Sequence, residues 1–346
     1  MTNKLILIGN GFDLAHSLKT SYKDFIDWYF CKTLRDFCGN PPYSDSLLEI
    51  NNRNIGRHGI YGEFTTLEEV VKLINANDSQ TIKYKSLFFK RIVELLKNNN
   101  WVDVERLYYK QLKDVFTGMN PLSAKKSAII NLNREFDSLI VELAEYLTIV
   151  NASMHEIPKL HSDKMHALFE KRTSVCKSLF LNFNYTETLL QKAYANEEDV
   201  IFIHGRATEN KKNPIIFGYG DETDPIYQNI EDSGENIFLE HIKSFGYFRT
   251  NNYHRLISYI DSDPYTVYIL GHSCGLSDRV LLSEIFEHQN CENIEIFYHV
   301  RNDGTDNFKE ITQEISRHFK PQNKNLMRRK VVNKNIDNIL PQNTFS

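Results

Sequence analysis

No stretch of the chain approaches the ~18 consecutive apolar residues of a membrane-spanning helix, so no membrane partner is expected. Cysteine is scarce. The five residues, at 31, 38, 176, 274 and 291, form an odd set without a Cys-x-x-Cys pair. That excludes a paired-cysteine zinc site and favours a reducing compartment over a disulfide framework. Neither sign of charge dominates: 41 Lys and Arg face 45 Asp and Glu, a net charge of −4, which argues against a global electrostatic grip on nucleic acid or anionic lipid. Only local basic patches remain. The opening MTNKLILIGNGF has one lysine and an apolar run too short for a secretory signal, so the expectation is a cytoplasmic protein. Internal repeats and long low-complexity tracts are absent as well.

What is present is a globular composition, 41% hydrophobic, 12% aromatic and 25% charged over 346 residues, enough for one large domain with insertions or two ordinary ones. Five short apolar runs end abruptly in polar residues: KLILIGN (4–10), SLFLNFN (178–184), VIFIHG (200–205), TVYILGH (266–272) and IEIFYHV (294–300). They are continuous rather than alternating, as parallel strands covered on both faces must be. Three run into helix-like stretches, Leu14 to Phe25, Glu187 to Ala195 and Asp278 to His288. The pattern predicts an α/β protein with a Rossmann-like open parallel sheet.

From about Ile26 to Val175 strand-like runs vanish, and a helical insertion is expected. Phe136, Leu139, Ile140, Leu143, Leu147 and Val150 form one apolar stripe on a long helix beginning after Pro121. Thr65 with Glu68, and Thr66 with Glu69, have capping-box spacing, and Cys38 to Gly62 reads as loop. The expected organisation is a nucleotide-binding core from 1–25 and 176–320, a helical insertion over 26–175 and a basic tail at 321–346, read as solvated and frayed.

In an open parallel sheet ligands sit beyond the carboxyl ends of the strands, so the residues ending each run are the candidates. The first run ends in Gly9-Asn10-Gly11-Phe12-Asp13, a Gly-x-Gly turn suited to a phosphate, although Leu14 stands where a dinucleotide fingerprint has its third glycine. A plain tight turn is the competing reading. The second ends in Asn182-Phe183-Asn184-Tyr185-Thr186, where Asn184 or Thr186 could simply cap the next helix. His204-Gly205-Arg206 ends the third and puts a histidine where a base would face a crevice. Gly271-His272-Ser273-Cys274-Gly275 formally matches a nucleophile elbow, with Asp278 and then His288 or His299 as triad partners. Both histidines fall badly in the chain for that role, so Ser273 reads better as a phosphate or ribose ligand. Asp221-Glu222 and Asp224 are too few for a metal site, and none is expected.

The opening GNGFDLAHSLKTSYKDF, followed in order by FNYT, IHGR and GHS-x-x-x-x-D, resembles the bacteriophage abortive infection AbiH family through most of the chain. The same series is similar, more distantly, to the sirtuin-like NAD-binding fold of phage-defence proteins. That resemblance implies NAD as ligand or substrate, with Gly9, Asn10, Gly11, Phe12, Asp13, Gly271, Ser273 and Asp278 about the nucleotide, Asp24 and Phe25 in a loop over the nicotinamide side, and Tyr185 beside it. Asn184 would orient ribose or water, and His204 would be the base. Asn10, Asp13 and Thr186 depart from that pattern, and the missing zinc cysteines argue against deacylation. Hydrolysis of the nicotinamide–ribose bond builds oxocarbenium character and expels a neutral group, so positioning and a base suffice. The expectation is an antiphage protein that binds and hydrolyses NAD or a related nucleotide. Its further partners would be a phage-derived trigger and further copies of itself. Two alternatives stand: a non-catalytic nucleotide sensor coupled to a partner or self-assembly, and a nuclease or nucleic-acid binder acting through Arg206 and the basic tail.

Overall fold

A computed structural model describes residues 2–40, 42–51, 82–99, 103–170, 176–209 and 211–343. The chain forms two compact units, one of residues 1–19, 147–234 and 241–346, the other of 20–146 and 235–240.

The first unit is built on five parallel strands. With all strands numbered along the chain, these are β1 (Asn3–Ile8), β5 (Ser178–Asn182), β6 (Val200–Phe202), β7 (Tyr265–Leu270) and β8 (Cys291–Phe297), while β2 (Tyr43–Ser44), β3 (Leu48–Ile50) and β4 (Ile82–Tyr84) belong to the second unit. The sheet order is β6-β5-β1-β7-β8, and every pairing in it is parallel. Counting only these strands, the order is 3-2-1-4-5, the Rossmann-like arrangement, with its switch point between β1 and β7. All five correspond to the apolar runs, for a physical reason visible in β1: Leu5 and Leu7 enter the core on one face, Ile6 and Ile8 on the other. A strand buried on both sides has no room for polar alternation. Each fully buried Leu or Ile contributes ~1.5–3 kcal/mol relative to exposure.

Several helical expectations need correction. Leu14 to Phe25 is not one helix: Asn10–Ala15 ends at a turn where Ser17 takes φ +63°, and a second helix, Tyr22–Gly39, starts afresh from a Ser21–Asp24 capping box. Between Glu187 and Ala195 only Thr188–Gln191 is helical, and Ala193 at φ +49° marks its end. The described residues of the C-terminal tail, up to 343, are not frayed. Val331 bridges Ile294, Ile339 bridges Tyr298, Leu340 is buried, and Lys330 donates its buried ammonium to the carbonyls of Phe286 and His288.

The described residues of the second unit are mainly helical. The apolar stripe lies on the helix Leu122–Ser153, with Phe136, Leu139 and Leu143 buried. That helix belongs to this unit up to Tyr146, while Leu147 and Val150, also buried, lie in the first. Phe136 stacks on Tyr108 at 4.2 Å between ring centroids. Strands are present here after all: β2, β3 and β4 form a small antiparallel sheet. Hence Cys38 to Gly62 is not simply loop; Cys38 and Gly39 end a helix and 43–50 carry two strands. Thr65, Glu68, Thr66 and Glu69 lie outside the described residues.

Candidate functional site

At the switch point the two glycine turns close on each other. Gly11 donates its amide to the Gly271 carbonyl at 2.8 Å, and Phe12 donates to Gly9 at 2.9 Å. A Cβ on Gly9 would stand 2.4 Å from the Cα of His272, and one on Gly271, itself at φ +69°, 2.1 Å from the amide nitrogen of Phe12. These glycines are therefore required by backbone packing between the ends of β1 and β7. Phe12 points into the core against His16, Phe169 and Tyr194, whereas Asn10 and Ser273 are exposed.

Asn184 joins this junction from β5. Its side chain donates to the Gly9 carbonyl at 3.1 Å, and its own amide donates to Asn182 Oδ1. Neither Asn184 nor Thr186 caps the next helix. The Thr186 hydroxyl donates to Asp13 Oδ2 at 2.5 Å, and that of Thr188 to Oδ1 at 2.6 Å. Burial raises the Asp13 carboxyl to about 6 against the lowering by these hydrogen bonds and that of Asn184.

A second group lies at the ends of β6 and β7. His204 follows β6 at a turn that Gly205, at φ +84°, lets pass against Pro214. Asp278 stands at the N-cap of the helix Arg279–Glu287, where the helix dipole favours its negative charge. Lys243 is brought to the carboxylate by a bridge between Tyr219 and Ile242, its own amide donating to the Tyr219 carbonyl. Its side chain is 1% exposed, and its ammonium lies 2.7 Å from Asp278 Oδ1. His204 Nε2 lies 3.1 Å from the same oxygen but is not aligned to bond it, and it forms no other hydrogen bond. His272 Nε2 is 3.6 Å from Oδ2, while its Nδ1 accepts the Cys274 amide, so the ring proton is on Nε2. Burial alone would raise Asp278, but the Lys243 charge first, and after it the two imidazoles beside the carboxylate, hold it well below the usual carboxylate range. Burial, and after it the Lys243 charge, lowers His204 against the pull of Asp278.

The expected residues thus fall into two sets. Gly9, Gly11, Asp13, Asn184 and Gly271 meet at the β1–β5–β7 junction, and His204 meets Asp278 one step along the rim. The Asn184 amide turns to Gly9, whereas the rings of Phe183 and Tyr185 on either side of it flank His204 at 5.2 and 6.3 Å. Asp24 and Phe25 are helical rather than in a loop and belong to the second unit: Asp24 closes the capping box, and Phe25 is buried against Trp28 and Tyr146. Lys243 and the place of His272 beside Asp278 were missed by sequence reasoning. Lys243 sits in no strand-end motif and carries no signal, while His272 lay inside a motif read for its serine.

One minor reading is overturned, and another loses one of its residues. His288 pairs with Asp261 at 3.0 Å just before β8, at the opposite rim from Ser273, and His299 is not on Asp278 either, which removes the triad. Arg206 is buried, donating to Glu187 and Glu197 and covering the Phe202 ring, so it offers no open charge to nucleic acid. Asp221 is taken by Arg279 and Thr223, and Asp224 caps the helix Pro225–Asp232.

The family model described as bacteriophage abortive infection AbiH matches residues 5–300. The chain belongs to the AbiH family. Membership assigns it an antiphage role in abortive infection. The match takes in both residue sets at the rim, from Gly9 to Asp278. A search of curated proteins finds no match. Among the described residues of this AbiH protein, no helix is long and apolar enough to cross a membrane.

Proposed function

We propose that this AbiH protein binds NAD or a related nucleotide at the carboxyl rim of its sheet and hydrolyses the nicotinamide–ribose bond, with His204 as the base. The observation that carries the reading is the His204 imidazole at a strand end, buried, with Nε2 unbonded beside a carboxylate that Lys243 already holds. A base must be neutral at working pH, and burial keeps it so. Water gives its proton to His204 as its oxygen joins the ribose C1′, and nicotinamide leaves with the electrons of the broken bond. Asn184 acts as a positioning residue that fixes the Gly9 turn rather than as a group on the water. Incubation of purified protein with NAD, followed by assay of free nicotinamide, tests this: His204→Ala is expected to lose the activity by ~100-fold or more. Wild-type rates in that variant would remove the reading.

A second reading, nucleotide sensing without turnover, draws on Asn184, whose side-chain amide is spent on the Gly9 carbonyl rather than aimed at a water. Calorimetric binding of NAD with no nicotinamide release would favour it.

A further inference from the structure

We propose that Lys243 is a positioning residue for this site: by occupying the Asp278 oxygen that His204 would otherwise bond, it keeps the His204 imidazole unprotonated. The inference rests on the reading of His204 as a base and names what sets that base.

Two potential donors converge on one carboxylate oxygen, the Lys243 ammonium at 2.7 Å and His204 Nε2 at 3.1 Å, and only the lysine is aligned. Lys243 and Asp278 together are neutral. The other titratable neighbour, His272, accepts a backbone amide at Nδ1 and turns its Nε2 to the other carboxylate oxygen, Oδ2, not to His204. The rings facing His204 are those of Phe183, Tyr185 and Tyr247, which carry no charge. A proton placed on His204 would therefore meet an ammonium across the same oxygen, in a setting where all three side chains are less than one-tenth exposed. Were the lysine charge absent, no cation would hold the Asp278 oxygen nearest His204, and an imidazolium–carboxylate pair would form there, with His272 still on the other oxygen. The lowering of His204 by burial and by Lys243, opposed by Asp278, runs the same way.

The test is a histidine-labelled NMR titration of the full chain over about pH 5 to 8. In the wild type the His204 ring should keep its neutral-form shifts throughout. In Lys243→Met its titration midpoint should move up into the window, by about one unit or more. Lys243→Arg, which retains the charge, should behave as wild type, and Lys243→Met combined with Asp278→Asn should return the ring to the neutral form. Should Lys243→Met not fold, Lys243→Gln keeps a donor to Asp278 without the charge and is read the same way. An unmoved midpoint in the folded neutral variant overturns the proposal. The acid limb of nicotinamide release should move with the midpoint. A wild type that releases no nicotinamide defeats the base reading alone, since the titration answers for Lys243 by itself.

Discussion

The amide of Gly11 meets the carbonyl of Gly271 at 2.8 Å, so the turn after the first strand and the turn after the seventh are joined through bare backbone. Gly271→Ala puts a methyl 2.1 Å from the Phe12 nitrogen at φ +69°. It should cost on the order of 3 kcal/mol or more. Gly234, at φ +68° with nothing near its Cβ, is the control: Gly234→Ala should cost only ~1 kcal/mol. Thermal unfolding of the two variants separates steric exclusion from conformational strain.

Asn184 ties β5 to β1 through the Gly9 carbonyl. Asn184→Ala should lose ~1–2 kcal/mol in urea unfolding with an unchanged m-value. Asn184→Asp should be worse at pH 7, because it turns a carboxylate toward a carbonyl oxygen and toward Asp13. Its deficit should shrink in acid as the new group is protonated. Equal stabilities of the two variants at pH 7 would count against that contact.

His16 and His318 are both held at about 4, chiefly by burial, against 6.5 for the free side chain. Here the folded value is the lower one, so the unfolded chain takes up protons first. Stability is full above about 6.5, falls between 6.5 and 4, and levels off below, by up to ~3 kcal/mol for each histidine. His318→Gln, which keeps a donor for the Cys274 carbonyl, should flatten the unfolding free energy across that interval.

Asp13 acts in the opposite sense. Its folded value of about 6 exceeds the ordinary 3.8, so its ionisation costs stability as pH rises from about 4 to 6. Asp13→Asn should remove that opposing slope and make the acid loss steeper than in wild type. Unfolding free energies at four or five pH values would show it, and an unchanged slope would mean that Asp13 is ionised at the same pH folded and unfolded.

Arg206→Ala should destabilise by ~2–4 kcal/mol, since Glu187 would keep its half-buried carboxylate without its main cation. Arg206→Lys should recover only part, because one ammonium cannot donate to Glu187 through two nitrogens and reach Glu197 together.

The sheet could be read from the chain because its strands are buried on both faces and must be apolar throughout, with Asn184 and His204 marking where the burial changes character. The long helix could be read because a lasting stripe from Phe136 to Val150 admits one period. The break at Ser17 carried no such mark, since nothing in the sequence forces a serine to positive φ. Strands of two or three residues, such as Tyr43–Ser44, are shorter than any detectable period. Lys243 was hidden for a different reason. A buried lysine is rare and depends on a partner 35 residues away, so only the folded contact reveals it.

The central strand, β1, takes its partners from far downstream: Lys4 pairs beside Ser178 on one side and beside Thr266 on the other. On the ribosome it is made first, yet at ~5–20 residues per second its nearer neighbour follows only after roughly 10–35 s. For that time LILI waits without either of its strand partners, an unpaired apolar edge of the kind that makes newborn chains prone to aggregate.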